Sequence, residues 1–221
     1  MYPSGEIYEK LYAAYIDGRD PVQLVDLAGD VKDKAVWDLC CGTGRISEIC
    51  VERGAEVCSV DASYGMVQPL MEKLKAGAFN GNLAIRMEEI KTFLSDTIPF
   101  EADVVISRQG VNYWLDEECA ELMAKRMPEG AVFVFNTFHS KPMRKPKTKE
   151  YTFNDRWFVE VSWLVGDIVH HIQVRDGMEP HETSFKYISP KEYERILAPW
   201  FAIGVERKGN TSLYRCVRRA K

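Results

Sequence analysis

The sequence contains no hydrophobic run that approaches the length of a membrane span. A spanning helix needs about 20 consecutive apolar residues, and the run Ala131–Phe135 is only long enough for a core strand. The first six residues also lack the basic and apolar regions of a signal peptide. We therefore expect a cytoplasmic location and no membrane partner.

Positive charge is also in short supply. The 29 Lys and Arg residues are outnumbered by 33 Asp and Glu residues, which gives a formal net charge of -4. A broad nucleic-acid-binding surface needs net positive potential. This balance argues against a nucleic-acid partner, although the stretch 141–149 contains five cations.

Metal-binding patterns are missing as well. The six cysteines form no CxxC pair and only four histidines are present, so the sequence offers no tetrahedral zinc site. We interpret the cysteines as small buried hydrophobic residues in a reducing compartment. With 221 residues, of which 46% are hydrophobic, the chain can form one large domain with a substantial core.

Strand and helix patterns alternate between residues 35 and 135. Buried strands are expected at 35–39, 56–60, 83–85, 102–106 and 131–135. Helical spacing of apolar residues separates several of them, at 45–52, at 64–74 and around 119–127. This alternation predicts an α/β protein with a doubly wound, mostly parallel sheet.

The pattern changes after Phe135, where strands follow one another without helices. Gly166-Asp167 lies between the alternating runs 157–165 and 168–175, which is typical of a two-residue hairpin turn. This register pairs Trp163 with His170 on an apolar face, where we expect a core histidine, and leaves His171 on the more polar face. A third strand is expected near 183–187.

The remaining C-terminal segments have clear local signals. Ser189 followed by Pro190 predicts the start of a helix, and a final hairpin is expected over 202–218. The basic stretch 141–149 contains two prolines and is predicted to be a loop. It is either a solvated connector or a lid that attracts an anionic substrate.

The strongest functional signal is the loop after the first strand, Asp38-Leu-Cys-Cys-Gly-Thr-Gly-Arg45. A dinucleotide-binding loop needs a third glycine three residues after the second, and Ser47 stands at that position. Asp38 is poorly placed for a pyrophosphate but well placed for an ammonium group. Asp61 ends the next strand, where an acid hydrogen-bonds the hydroxyls of a ribose.

Together these motifs resemble those of the class I S-adenosylmethionine-dependent methyltransferases. The resemblance covers about residues 34–138 and includes Met87-Glu88 after the third strand, although the family usually has Asp where Glu88 stands. It implies S-adenosyl-L-methionine as the cofactor and a Rossmann-like, seven-stranded sheet with an inserted antiparallel β flap. The implied cofactor-binding residues are Tyr15, Asp38, Cys40, Gly42, Gly44, Asp61, Ala62, Met66, Met87, Glu88, Ser107 and Arg108.

The resemblance also implies a division of the single domain 1–221. Residues 1–33 are expected to form a helical lid, 34–138 the cofactor-binding core, 139–188 the loop and flap, and 189–221 the last helix and hairpin. The aromatic face of the N-terminal helix expected within residues 1–33 suits either a cofactor lid or a dimer contact. A monomer and a homodimer therefore both stay open.

Candidate catalytic residues lie in two places. Arg108 and Tyr113 follow the fourth strand, next to the expected methyl group, where Arg108 either clamps an anionic substrate group or ties down its loop. His171, His181 and His139 are candidates for a general base, which is needed only if the acceptor is protonated.

We expect methyl transfer to N or O of a small polar metabolite, possibly an anionic one. The alternatives are a protein or RNA methyltransferase, a non-methylating S-adenosylmethionine-binding protein on the same fold, and a nicotinamide dehydrogenase. The missing third glycine and Asp38 argue against the dehydrogenase.

Overall fold

The structure, a computed structural model, describes residues 19–96, 101–138, 143–153, 156–175, 178–208 and 211–220. Its first part alternates helices and strands. The elements are α1 (Arg19–Ala28), β1 (Ala35–Leu39), α2 (Arg45–Glu52), β2 (Glu56–Val60), α3 (Tyr64–Lys75), β3 (Leu83–Arg86), α4 (Ile90–Ser95), β4 (Val104–Arg108), α5 (Glu117–Lys125) and β5 (Val132–Phe138). A short 3-10 helix, Val111–Tyr113, lies between β4 and α5.

The second part is mainly antiparallel. Its elements are β6 (Lys147–Phe153), β7 (Arg156–Val165), β8 (Ile168–Arg175), β9 (Met178–Lys186), α6 (Pro190–Leu197), β10 (Phe201–Lys208) and β11 (Thr211–Arg218). The predicted cap of α6 is present, because the Ser189 hydroxyl accepts a hydrogen bond from the Glu192 N–H at 3.2 Å.

The larger sheet has seven strands in the order β3-β2-β1-β4-β5-β11-β10. Strands β1 to β5 are parallel, whereas β11 pairs antiparallel with both β5 and β10. The chain therefore forms the predicted doubly wound, mostly parallel sheet, and its last hairpin supplies the reversed strand. The order reverses between β1 and β4, which is where open α/β sheets bind ligands.

Two hydrophobic cores cover the two faces of this sheet. Successive residues of a strand point to opposite faces, so Val36 joins one core and Trp37 the other. Helices α1, α2 and α3 contribute to the core around Val36, and α4, α5 and α6 contribute to the core around Trp37. The sheet is thus packed on both sides, and only its strand ends are available to form a ligand site.

The smaller sheet has four strands in the order β6-β7-β8-β9, and we call it the flap. The predicted register is confirmed, because Trp163 pairs with His170 and Val165 with Ile168 around the Gly166-Asp167 turn. The prediction of a loop over all of 141–149 is wrong in part. Lys147 begins strand β6, an exposed edge strand paired only with β7, so its polar sequence gave no strand signal.

The two faces of the flap differ in burial. The inner face, which includes Phe158, Ser162, Leu164, Val169, His171 and Phe185, contains the buried apolar residues of this sheet. The outer face, which includes Trp157, Trp163, Val165, Ile168 and His170, is half-buried or exposed.

The expectation of a core histidine at His170 is therefore wrong. The more apolar face of the hairpin points outward, and the side chain of His170 is half-buried. Its ring stacks on Trp163, with ring centroids 5.2 Å apart and planes inclined by 13°. Apolar content alone did not indicate which face packs on the protein.

All six cysteines are free thiols; Cys40 and Cys41 are half-buried and the other four are buried. They pack as small core residues, as the sequence predicts. Among the residues that the structure describes, no helix has the length and apolar character required to cross a membrane.

Candidate cofactor and substrate site

The candidate site lies at the carboxyl ends of β1, β2 and β4. Asp38 is the penultimate residue of β1, Asp61 directly follows β2, and Arg108 is the last residue of β4. Because β1 and β4 are neighbours and the strand order reverses between them, their ends border a crevice. The sheet thus brings together three charged residues that are far apart in the sequence.

The glycine loop between β1 and α2 depends on two left-handed backbone positions. Gly42 has φ +54° and Gly44 has φ +85°, conformations that residues with a Cβ rarely adopt. A Cβ at Gly44 would also lie 2.4 Å from the nearest side-chain carbon of Leu70 on α3. The loop therefore packs closely against α3 at Gly44.

Asp38 is almost completely buried, with 1% of its surface exposed. Its Oδ2 accepts hydrogen bonds from the Ser47 N–H at 3.1 Å and from the Ser47 hydroxyl at 2.5 Å. Its Oδ1 is buried and accepts no hydrogen bond from the described residues. Burial raises the pKa of Asp38 to about 7, although the Ser47 hydrogen bonds and the charge of Arg108 oppose this shift.

Ser47 and Ser59 are site residues that the sequence analysis missed. The two hydroxyls are 2.6 Å apart, and the Ser47 hydroxyl donates to the Asp38 carboxylate. A buried chain of hydrogen bonds therefore runs from Ser59 through Ser47 to Asp38. In the sequence, Ser47 stands out only because it occupies the position of the third glycine of a dinucleotide-binding loop. Its role becomes visible when β2 brings Ser59 next to α2.

Asp61 joins the glycine loop to the start of α3. Its Oδ2 accepts the Gly42 N–H at 2.9 Å, and its Oδ1 accepts the Ser63 N–H at 2.9 Å. Burial raises the pKa of this carboxyl, although both hydrogen bonds lower it. Each oxygen retains further acceptor capacity for a ribose hydroxyl. Ala62 is exposed beside it, and Met66 is buried beneath the loop.

The residues implied for adenine follow β3. Met87 is 52% exposed, so its side chain is available to a ligand. Glu88 is half-buried, and its Oε1 accepts a hydrogen bond from Arg86 Nε at 2.7 Å. Arg86 also donates to Asp96 at 2.9 Å. Arg86 thus fixes the orientation of Glu88 and leaves its other oxygen as an acceptor for an amine.

The loops after β1 and β4 touch each other. Cys40 has a left-handed φ of +59°, and its Sγ lies 3.8 Å from the carbonyl oxygen of Gly110. A Cβ on Gly110 would be 2.4 Å from the Cβ of Cys40 and 3.0 Å from the Ser107 hydroxyl. That hydroxyl is buried and has no partner among the described residues. The glycine at position 110 therefore permits this close approach.

Arg108 and Tyr113 lie where the sequence predicts them. Arg108 is half-buried and near enough to Asp38 for its charge to lower the pKa of that carboxyl. Tyr113 is 46% exposed, and its ring contacts Phe185 on the inner face of the flap at a centroid distance of 6.0 Å. Tyr113 thus connects the crevice to the flap.

A buried polar cluster stabilises the segment between Arg108 and Tyr113. The Oδ1 of Asn112 accepts hydrogen bonds from the hydroxyl of Tyr193 on α6 and, at 3.4 Å, from the hydroxyl of Thr137 on β5. Asn136, the residue before Thr137 on β5, accepts the Gln109 N–H at 2.8 Å. These contacts hold the segment after β4 against β5 and α6, and the sequence alone did not indicate them.

The candidate bases His171 and His181 both lie on the inner face of the flap. His171 pairs with Ser162 and Thr183 in the sheet, whereas His181 pairs with Gln173. His181 was expected to precede the third flap strand, but it lies within β9. Tyr15 and His139 lie outside the described residues.

The residues present fit S-adenosylmethionine. The buried and unpartnered Oδ1 of Asp38 suits an ammonium group. Asp61 suits two ribose hydroxyls, and Glu88 suits an adenine amine. The crevice therefore has the features of a nucleoside site with an adjacent amine site, which is the class of ligand site that class I methyltransferases use.

Comparison with known proteins agrees with this class. Residues 36–127 match the family model described as a methyltransferase domain. No curated protein matches the chain in sequence. The family match and the fold are both consistent with a class I S-adenosylmethionine-dependent methyltransferase.

Solved structures show the same fold over nearly the whole chain. An S-adenosylmethionine-dependent methyltransferase from Clostridium acetobutylicum is 18% identical, with a TM-score of 0.73 and coverage of 97% of each chain. The CcbJ methyltransferase from Streptomyces caelestis is 18% identical, with a TM-score of 0.75 and coverage of 92% of this chain and 90% of that one. CalS10, an amino pentose methyltransferase from Micromonospora echinaspora, is 14% identical, with a TM-score of 0.74 and coverage of 99% and 98%.

Proposed function

We propose that this enzyme transfers a methyl group to a nitrogen or oxygen atom of a small polar metabolite that binds between the crevice and the flap. The observation that carries this proposal is the contact of Tyr113 with Phe185, because it brings the inner face of the flap next to the segment that follows β4. A site between the flap and the crevice suits a small acceptor better than a large macromolecule.

Methyl transfer requires the protein mainly to align the cofactor with the acceptor and to exclude water. Bound S-adenosylmethionine supplies a methyl group that is already activated by its sulfonium. Asp38 and Asp61 orient the cofactor, and Tyr113 and the flap align the acceptor and exclude water.

Cations near the flap support an anionic group on the acceptor. Lys147 and Lys149 lie on the inner face by register, opposite Ser162 and Glu160. Arg108 ends β4 at the crevice and also suits a carboxylate or a phosphate. We infer that the basic stretch contributes to the proposed acceptor site. The similarity in fold to CalS10, an amino pentose methyltransferase, is compatible with a small polar acceptor.

The test is a transfer assay with methyl-labelled cofactor and small amines and alcohols, each with and without a carboxylate or phosphate. We expect transfer to a small acceptor, with preference for the anionic member of a pair. Lys147→Gln should raise the KM of that acceptor about two- to fivefold, as expected for an exposed charge pair. The matched control is Lys186→Gln, because Lys186 is an exposed cation on the outer face.

Other results would contradict the proposal. Label that enters only protein or RNA would favour a macromolecular substrate, and cofactor binding without any transfer would favour a binding protein on the same fold. A cytoplasmic location, the absence of a nucleic-acid partner, and a monomeric or homodimeric state stay predictions from the sequence.

A further inference from the structure

The flap contains two serine–histidine pairs, one on each face. On the inner face, the Ser162 hydroxyl lies 3.0 Å from His171 Nδ1. On the outer face, the Ser184 hydroxyl lies 3.2 Å from His170 Nδ1. The two pairs are similar in chemistry and their histidines are adjacent in sequence, but only the inner pair shares a face with Phe185, which contacts Tyr113.

The sheet register places His171 closer than His181 to the acceptor site. Phe185, which contacts Tyr113, pairs with Val169; the next inner pair along the strands is Thr183 with His171, and the one after that is Gln173 with His181. Each step of two residues is about 6.6 Å along a strand. His181 is therefore about 13 Å along the flap from Phe185, whereas His171 is about half as far.

The inner face around His171 contains charged groups from three neighbouring strands. Lys147 and Lys149 lie on β6, Glu160 on β7 and His181 on β9, and Tyr113 approaches from the 3-10 helix. The carboxylate of Glu160 accepts a hydrogen bond from Gln173 Nε2 at 3.0 Å. These groups share the inner face with His171.

We propose that His171 is the general base of the reaction and that Ser162 is its positioning residue. The inference rests on the proposed function. When Nδ1–H donates to the Ser162 oxygen, the second ring nitrogen, Nε2, carries a lone pair that can take a proton. The Ser162 hydroxyl can accept the Nδ1–H hydrogen bond of this tautomer, and the contact fixes the ring orientation.

The proton transfer balances with the methyl transfer. An N–H bond of the acceptor ammonium breaks and the proton goes to His171 Nε2, while the nitrogen keeps the electron pair. That pair forms the bond to the methyl carbon as the carbon–sulfur bond breaks, and sulfur keeps the electrons of that bond. His171 then returns the proton to water.

The test compares the two pairs in the full-length enzyme by measuring kcat/KM from pH 6 to 9. His171→Gln should lower kcat by 10²- to 10⁴-fold, the range for loss of a general base, and should remove the acid limb of the pH profile. Cofactor affinity should be unchanged, which shows that the variant is folded. The outer-face controls His170→Gln and Ser184→Ala should leave both the rate and the profile unchanged.

Ser162 variants provide the second measurement. Ser162→Ala should lower kcat about tenfold and shift the acid limb, with little change in the KM of the acceptor, and Ser162→Thr should restore both because it keeps the hydroxyl. Equal effects at His170 and His171, or an unchanged acid limb in His171→Gln, would overturn the inference while leaving the proposed function intact. Failure of the wild type to methylate any small acceptor would instead overturn the proposed function.

Discussion

The buried carboxyl of Asp38 should make cofactor binding depend on pH. Its pKa is raised from 3.8 to about 7, mainly because the side chain is buried. An ammonium group beside the unpartnered Oδ1 stabilises the ionised form, so binding at pH 6 must release a proton from Asp38. The affinity for S-adenosylmethionine should rise by up to about tenfold per pH unit between pH 5.5 and 7.

The same shift affects the stability of the protein without cofactor. Because the pKa is higher in the folded state, the neutral acid stabilises the folded protein below pH 3.8, and this contribution is lost as the pH rises through about 7. A shift of about three units corresponds to roughly 4 kcal/mol. Asp38→Asn has no ionisable group at this position and should remove that part of the pH dependence.

Calorimetry in buffers with different ionisation enthalpies measures proton release, and urea unfolding at pH 5 and pH 8 measures stability. Asp38→Asn should bind cofactor roughly 10- to 100-fold more weakly at pH 7, as expected for loss of a charged hydrogen bond. The control is Asp103→Asn, because Asp103 accepts the Ala35 N–H at the opposite end of β1. Affinity that is constant from pH 5.5 to 7, or proton release retained in Asp38→Asn, would refute the reasoning.

Two further predictions test the loops around the crevice. Gly44→Ala should destabilise the protein by about 2–4 kcal/mol in urea unfolding, because its Cβ overlaps Leu70 at a left-handed position. Gly130→Ala should cost about 1 kcal/mol, since Gly130 has φ +81° but no atom within 4 Å of the added Cβ; equal losses would contradict the steric argument. Glu88→Gln should weaken cofactor binding about fivefold by calorimetry, and Arg86→Ala should weaken it less, because Arg86 acts only through Glu88; a larger effect of Arg86→Ala would contradict this order.

The sequence predicts the part of the fold that local signals determine. The alternation of strands and helices around Asp38 and Asp61 requires only hydrophobic periodicity and glycine turns. The register of β7 and β8 requires only the Gly166-Asp167 turn and the alternating residues on either side. These signals come from residues that are close together in the chain, so a single sequence is enough to detect them.

Contacts between distant segments were not predictable in this way. The residues of edge strand β6 whose burial the structure describes are all exposed, so none of them marks the segment as a strand. The support of Asp38 by Ser47 and Ser59 depends on two elements that meet only in the folded sheet. The sequence also did not show which face of the flap packs on the protein. His170 lies on the more apolar face, and that face points outward.

The close approach of Cys40 and Gly110 limits how this enzyme can be re-engineered. A Cβ at position 110 would overlap Cys40 and would also lie 3.0 Å from the Ser107 hydroxyl. Single substitutions at position 110 should therefore be lost under selection for folding, and a second change at position 40 would relieve only part of the overlap. Efforts to change the acceptor are better directed at Tyr113 and the inner face of the flap.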